Sequence, residues 1–167
     1  MSKKLFLFQA LLFSSMLMFA PACGDPDPCK DVECGVNGEC FEGSCVCLDG
    51  FEGSGCADEW AMKFLGTYTG TDGCGGTLTK PVTITRLSGT TVRITNFGGF
   101  DSYVDVAIKR ATASAVTADL IDFSNVTDPA GRRFTGDGTI SGNSISATYT
   151  VTYTDNTSET CTFNISK

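Results

Sequence analysis

The distribution of cysteines constrains this chain more strongly than any other feature of its sequence. Nine cysteines fall into three groups: Cys23 stands alone behind an apolar N-terminal segment, six lie between residues 29 and 56, and Cys74 and Cys161 bracket a long Thr-rich remainder. Cysteines at this density are typical of chains exported to an oxidising compartment. A segment as short as residues 29–56 buries too little apolar surface to fold without cross-links. We therefore predict two folded units outside the cytoplasm, a small disulfide-rich one and a larger one.

The first 22 residues have the organisation of a secretory signal. Two lysines precede an apolar run over residues 5–20, which is shorter than the roughly 20 apolar residues that a membrane-spanning helix needs. Small side chains at Ala20 and Ala22 suit a signal peptidase. We predict that residues 1–22 are removed and that the exported chain begins at Cys23.

The cysteine behind the signal resembles the cysteine of a bacterial lipobox, which receives a diacylglycerol and becomes the new N-terminus. Lipidation of Cys23 would also account for the odd cysteine count, which otherwise requires an explanation. A free or intermolecularly paired thiol is the alternative. Pro26 and Pro28 make residues 23–28 an extended tether. Two or three acyl chains, each contributing about 0.8 kcal/mol per buried methylene, hold a protein on a membrane. The resemblance implies an exported protein whose N-terminal lipid anchors it in the outer membrane or on the cell surface.

The charge and the side-chain chemistry exclude several classes of function. Loss of the signal with its two lysines leaves 10 of the 12 basic residues against all 19 acidic ones, and this excess of negative charge disfavours a nucleic-acid partner. The chain has no histidine, which is the commonest general base. Nothing resembles a serine nucleophile motif, and no thiol is left over for a cysteine nucleophile. We predict that the protein is not an enzyme.

The six clustered cysteines follow the spacing C-x4-C-x5-C-x4-C-x-C-x8-C, and residues 45–53 read C-x-C-x-x-G-F-x-G. Six cysteines allow fifteen pairings in principle. The spacing and the second motif resemble the EGF-like module in its compact, tenascin-type form, over residues 29–57. The pairing that this resemblance implies joins the first cysteine to the third, the second to the fourth and the fifth to the sixth: Cys29–Cys40, Cys34–Cys45 and Cys47–Cys56.

Calcium is the one cofactor that the resemblance suggests, because some EGF-like modules bind it through acids just before their first cysteine. Asp25 and Asp27 stand at two of the expected offsets, while Pro28 replaces the expected acid or amide. Carboxylate oxygens suit calcium. A solvated acidic linker is the alternative interpretation of the same residues.

Residues 60–167 have the composition and periodicity of antiparallel β structure. Apolar and aromatic side chains alternate with hydroxyls over residues 145–153, which predicts a strand with one buried and one wet face. No segment shows sustained helical periodicity. We predict eight strands joined mostly by short turns, at residues 64–70, 81–87, 90–96, 103–109, 113–121, 132–140, 144–154 and 158–165.

The strand order predicts a barrel. Cys74 follows the first predicted strand and Cys161 lies in the last, so a Cys74–Cys161 bridge, whose Cα atoms must lie within about 7 Å, would join the two ends of the meander. Glycines at residues 66, 70, 136 and 138 fall inside strands, where glycine often marks a sharp bend. Closure of the meander would also leave no exposed sheet edge. A β-sandwich is the alternative.

The opening Gly66-Thr67-Tyr68 resembles the G-x-W/Y start of lipocalin- and avidin-like barrels. The whole arrangement is similar to small lipocalin-like surface lipoproteins of Bacteroidetes-type bacteria, some of which carry an EGF-like module. The resemblance implies a membrane-anchored extracytoplasmic lipoprotein that acts as a non-catalytic binding module.

Two modes of binding are open. In the first, the barrel holds one small apolar ligand, since eight strands enclose either a filled core or room for such a molecule. The alternative is that the same aromatic side chains simply fill the core. The candidate lining residues are Phe64, Tyr68, Phe134, Tyr149, Tyr153 and Phe163.

In the second mode, the protein is an adhesion, protein-interaction or spacer protein with no small-molecule ligand. It would use the EGF-like module and the barrel loops to bind a protein or a glycan. Phe97 and Phe100 lie on a glycine-containing turn and are the candidate contact residues. The alternative is that this turn caps one end of the barrel.

Overall fold

The computed structural model describes residues 27–74, 76–112 and 117–167. The predicted signal, Cys23 and Asp25 lie outside these ranges. Within them the chain has fourteen β-strands, two 3-10 helices and no α-helix. No described helix is long or apolar enough to cross a bilayer.

The N-terminal disulfide-rich module contains two small antiparallel hairpins. Strands β1 (Gly38–Phe41) and β2 (Ser44–Cys47) form the first, and β3 (Phe51–Glu52) and β4 (Asp58–Glu59) form the second. The module has the three disulfides that the EGF resemblance implied, each with Cα atoms 5.3–5.8 Å apart: Cys29–Cys40, Cys34–Cys45 and Cys47–Cys56.

The larger part of the chain is a closed, eight-stranded antiparallel barrel. Neighbouring barrel strands pair in chain order, and the last strand pairs with the first, which closes the sheet and rules out the sandwich. Two short strands, β6 (Gly76–Thr77) and β11 (Val126–Thr127), add to β5 and β12. The eight barrel strands are β5 (Gly66–Asp72), β7 (Val82–Ser88), β8 (Thr91–Thr95), β9 (Tyr103–Lys109), β10 (Leu120–Asp122), β12 (Arg133–Ser141), β13 (Ser144–Thr152) and β14 (Ser158–Ser166).

Two predicted strand boundaries differ from the structure. The first barrel strand begins at Gly66 rather than at residue 64, because Trp60–Phe64 form a 3-10 helix that packs its apolar side chains against the core. The fifth predicted strand, residues 113–121, corresponds to a strand over Leu120–Asp122 only, and residues 113–116 lie outside the described ranges. The other six predicted strands agree with the structure within about two residues.

Glycines inside β12 let this strand approach its neighbour closely. Gly136 has a φ of +151°, and a Cβ at this position would collide with the carbonyl oxygen of Thr148. A Cβ on Gly138 would lie 2.6 Å from the Cβ of Ala147. Only a residue without a side chain therefore fits at these two positions. That the in-strand glycines mark bends of the barrel stays a prediction.

The predicted bridge between Cys74 and Cys161 is present, with Cα atoms 5.4 Å apart. Cys74 lies just beyond β5, and Cys161 lies within β14. The bridge therefore fastens the first barrel strand to the last, where hydrogen bonds between β5 and β14 also close the sheet.

The barrel has two distinct ends. We call the end at which β5 begins the base; the 3-10 helix Trp60–Phe64 and the turn between β7 and β8 lie here. We call the opposite end, where β5 finishes at Asp72, the far end. The far end carries the connections at residues 73–81, 96–102, 123–132 and 153–157.

Candidate binding surfaces

The barrel interior is filled with side chains. Phe97 lies at its centre, with ring centroids 4.7 Å from Tyr149, 4.8 Å from Phe123 and 4.9 Å from Phe163. Of the six residues predicted to line a ligand cavity, five are fully buried and belong to this core instead of surrounding an open space: Phe64, Tyr68, Phe134, Tyr149 and Phe163. The alternative interpretation, that these aromatics fill the core, describes their packing.

The sixth predicted lining residue, Tyr153, lies at the edge of the far end and is only partly buried. Its hydroxyl donates a hydrogen bond to the carboxylate of Glu159. This hydrogen bond, together with burial, raises the pKa of Tyr153 to about 12. Tyr153 therefore serves as a neutral donor that fixes the connection between β13 and β14.

The turn predicted as a contact patch, residues 96–100, packs into the end of the barrel and does not form an exposed patch. Phe97 is 1% exposed, and Asn96 before it adopts a left-handed conformation while its side-chain amide donates to the Lys80 carbonyl at 2.9 Å. Phe100 is partly buried, with the guanidinium of Arg132 4.1 Å above its ring. The prediction of an exposed aromatic patch is therefore wrong for Phe97, because hydrophobic burial draws its ring into the core. The capping interpretation describes the turn.

A buried polar contact that the sequence analysis did not single out lies beneath the far end. Asp72 is 1% exposed, and its carboxylate accepts the Tyr149 hydroxyl at 2.8 Å and the Cys74 backbone N–H at 2.9 Å. Burial and the hydrogen bond to Asp72 raise the pKa of Tyr149 well above its ordinary value of 10.0. The sequence held a signal for this contact, since Asp72 shares the inward parity of Tyr68 on β5.

Asp72, Cys74 and Cys161 bring their side-chain ligand atoms within 4.8 Å of one another. Both sulfurs, however, belong to the Cys74–Cys161 disulfide. Cysteine binds a metal ion as a thiolate, which a disulfide does not supply, so Asp72 is left without the two cysteine ligands of this group. The contact between Asp72 and Tyr149 is therefore a structural element of the core.

Asp27, the predicted calcium ligand inside the described residues, caps a local turn. One of its carboxylate oxygens accepts the Cys29 backbone N–H at 2.9 Å. Its predicted companion Asp25 is not described. Calcium binding stays a prediction.

The module is docked on the base of the barrel by backbone hydrogen bonds and buried apolar contact. The Trp60 backbone N–H donates to the Gly50 carbonyl at 3.0 Å, and the indole N–H donates to the Phe51 carbonyl at 2.8 Å. The Ala61 N–H donates to the Gly89 carbonyl, in the turn between β7 and β8. Trp60 itself is buried beside the barrel core, so the module closes the base.

Two clefts flank this junction. The larger, of about 800 Å³, contains Lys63, which pairs with Glu52 at 2.7 Å, and Arg86, which pairs with Glu59 at 2.6 Å. A second cleft, of about 630 Å³, lies beside Trp60 and Arg110. These two ion pairs cross the junction and help to hold the module on the barrel.

The outer face of β12, β13 and β14 is a hydroxyl-rich surface that also carries Arg133 and Asp137. Thr150 and Thr160 share a hydrogen bond of 3.0 Å across adjacent strands, as do Thr152 and Ser158. Two shallow grooves of about 230 and 260 Å³ cross this face. Because no large apolar side chain is exposed among the described residues of this face, it is a weak candidate for tight binding.

The first hairpin of the module, in contrast to this hydroxyl-rich face, exposes apolar side chains. We call its outward surface the hairpin face; it consists of Glu39 and Phe41 on β1, Ser44 and Val46 on β2, and Leu48 directly after β2. The cysteines of both strands point to the other face and are held by disulfides. Phe41 is 64% exposed, and Val46 and Leu48 are each 58% exposed. Large apolar side chains at this exposure are unusual when they cluster.

Comparison of the chain with protein-family models, with curated proteins and with solved structures returned no match. The functional argument therefore rests on the residues of this chain. Among the described residues every cysteine is in a disulfide, and the tyrosines with raised pKa values donate to structural carboxylates. The absence of catalysis stays a prediction.

Proposed function

We propose that this chain is an exported, lipid-anchored, non-catalytic protein that binds a macromolecular partner through its outer surface. The anchor would be a lipid on Cys23, and residues 23–28 would tether the folded part to the membrane. The chain would carry its binding surface outside the cytoplasm, in the outer membrane or on the cell surface. The negative charge of the chain fits a partner other than nucleic acid.

The observation that carries the proposal is the contrast between the barrel interior and the module surface. Aromatic side chains occupy the space in which a small apolar ligand would sit. Four clefts among the described residues lie at the junction and on the outer face. Binding outside the barrel therefore requires no rearrangement of the core, whereas a ligand inside would have to displace packed rings.

Native mass spectrometry of the exported Cys23→Ser variant, which cannot be lipidated, purified without reduction, tests this proposal. The four disulfides remove eight hydrogens from the reduced mass. We expect that mass with no retained small molecule. A stoichiometric adduct that disappears on unfolding would overturn the proposal in favour of a ligand-carrying barrel.

The anchor is tested separately, in a bacterial host that processes lipoproteins. We expect the N-terminal peptide of the full chain to carry a diacylglycerol on Cys23, and the Cys23→Ser variant to leave the membrane fraction. A wild-type chain recovered with an unmodified Cys23 would contradict lipid anchoring without touching the proposed binding role.

A further inference from the structure

Building on the proposed function, we propose that the hairpin face binds an extended, cationic segment of a partner protein, in which basic side chains alternate with apolar ones. Four properties of the hairpin support this: exposed apolar side chains, one edge of each strand without a strand partner, rigidity and charge.

The apolar side chains are concentrated on the module rather than spread over the molecule. Seven large hydrophobic residues are exposed within the described ranges, and four of them lie between residues 36 and 48. Val36, next to the hairpin, is 93% exposed. Monomeric proteins scatter exposed apolar residues singly, so a cluster of four on a module of about thirty residues marks an interaction surface.

The strand edges offer a second means of recognition. β1 and β2 form a sheet of two strands, so that each of them has one edge without a strand partner in the described chain. A peptide that adds to such an edge gains main-chain hydrogen bonds along its length. Its side chains alternate between two faces. Every second one would therefore lie next to Phe41 if the peptide adds to β1, or next to Val46 and Leu48 if it adds to β2.

The hairpin is preorganised for this mode of binding. Cys40 is bridged to Cys29, Cys45 to Cys34, and Cys47 to Cys56, so three of its eight strand residues are cross-linked to other parts of the module. A surface that is already ordered loses little conformational entropy on association.

The negative charge of the module indicates which kind of partner the hairpin face binds. Within the described residues neither Glu39 on the hairpin face nor Glu42 in its turn forms an ion pair. The module has one basic residue, Lys30. Electrostatic complementarity therefore favours a partner with lysine or arginine beside its apolar side chains and disfavours an anionic bilayer. The seven acidic residues of residues 27–57 are Asp27, Asp31, Glu33, Glu39, Glu42, Asp49 and Glu52.

Selection from a random heptapeptide library displayed on phage tests the inference without presupposing a sequence. The exported chain, with its disulfides formed, is immobilised through a tag at its C-terminal end, because Pro28 near the N-terminal end lies beside Gly43 in the hairpin turn. We expect enriched peptides in which lysine or arginine alternates with apolar residues. A selection that yields no enrichment, or that yields acidic or uncharged peptides, would overturn the inference.

Substitutions on the hairpin face test whether the selected peptide binds there. For the best selected peptide we expect Phe41→Ser with Val46→Thr to weaken binding about tenfold, since apolar anchors at the centre of an interface carry most of its affinity. The matched control, Met62→Ser with Leu87→Thr, removes two exposed apolar side chains elsewhere and should change affinity less than about twofold. Equal losses in both double variants would contradict binding at the hairpin face.

Charge is tested with Glu39→Gln and Glu42→Gln together. We expect weaker binding and a shallower dependence of affinity on salt, because fewer charges would be screened. Native near-ultraviolet circular dichroism in each variant establishes that the module is still folded. An unchanged affinity and salt dependence in a folded variant would overturn the cationic part of the inference.

Two further outcomes would assign the hairpin face to a different partner. Co-sedimentation of the chain with neutral phosphatidylcholine vesicles, lost in the Phe41→Ser and Val46→Thr variant, would assign the surface to a bilayer. Dimerisation in analytical ultracentrifugation, lost in the same variant, would assign it to a second copy of the chain. A small molecule retained in native mass spectrometry would instead end the proposed function itself, so the two failures are distinguishable.

Discussion

At the scale of single residues, the contact between Tyr149 and Asp72 shows how this core accommodates a carboxylate. A buried carboxylate is costly unless hydrogen-bond donors satisfy it. The Tyr149 hydroxyl supplies one donor at 2.8 Å and the Cys74 N–H supplies another at 2.9 Å. The raised pKa of Tyr149, caused first by burial and then by this hydrogen bond, keeps the hydroxyl protonated. The pair therefore orders the far end of the core.

Because of Tyr153, we expect the free energy of unfolding to fall at alkaline pH. Its pKa in the folded chain is raised from 10.0 to about 12 by its hydrogen bond to Glu159 and by burial. Between these values the folded chain keeps a proton that the unfolded chain has lost, so the free energy of unfolding falls as the pH rises. We expect Tyr153→Phe to lose less stability than the wild type between pH 10 and 12, measured by urea denaturation. Equal losses would contradict this role.

Gly136 should tolerate no side chain. Its φ of +151° and the position of the Thr148 carbonyl leave no room for a Cβ. We expect Gly136→Ala to lower the free energy of unfolding by about 3 kcal/mol or more, measured by denaturation. Gly142→Ala is the matched control: it also has a positive φ, of +58°, but open space around it, and should cost about 1 kcal/mol. Similar costs for both variants would show that β12 can relax.

At the scale of elements, the 3-10 helix Trp60–Phe64 connects the module to the barrel. Its Trp60 donates two hydrogen bonds to the module, while Phe64 and Ala61 are buried at the base of the barrel core. Ion pairs of Lys63 with Glu52 and Asp119 reach across the same junction. The module is thus fixed to the barrel, because one short element donates hydrogen bonds to the module and packs into the barrel core.

Truncation of Trp60 should destabilise the junction. We expect Trp60→Ala to lower the free energy of unfolding by about 3–5 kcal/mol, as for other buried aromatic residues. It should also make the connection around residues 57–60 sensitive to protease. Trp60→Phe keeps most of the ring and loses the hydrogen bond to the Phe51 carbonyl, so it should cost about 1–2 kcal/mol. A small effect of Trp60→Ala would mean that the module contributes little to closing the base.

At the scale of the whole molecule, the closed sheet and the Cys74–Cys161 disulfide hold the same two strands together. The bridge spans 87 residues of sequence. In the chain-entropy view, a cross-link over a loop of this length restricts the unfolded chain far more than the folded barrel.

Replacement of both bridging cysteines should leave the barrel folded and less stable. We expect Cys74→Ala with Cys161→Ala to lower the free energy of unfolding by about 4–5 kcal/mol, measured by denaturation with the three module disulfides intact. Hydrogen bonds between β5 and β14 would still close the sheet. A non-reduced peptide map of the wild type that joins Cys74 to a module cysteine would contradict the pairing on which this expectation rests.

Much of this architecture could be predicted from the sequence, because the signals are local. Alternation over residues 145–153 fixes which face of β13 is buried, and turn residues set the order of the strands. The positions of Cys74 and Cys161 at the two ends of the meander then indicated closure. The pairing of the module cysteines came from a family resemblance, since spacing alone left fifteen arrangements open.

The candidate site was harder to predict, because burial of an aromatic side chain depends on the whole barrel. The sequence placed Phe97 on a turn, and only the closed fold shows that this turn folds inward between four other rings. The exposure of Phe41 and Val46 could not be predicted either, because strand alternation does not say which face of a small hairpin stays uncovered. The sequence by itself indicated most of the strands and the Cys74–Cys161 bridge, and it predicted export. The tertiary structure decided that the interior is filled and that the hairpin face is open, because packing depends on residues far apart in the chain.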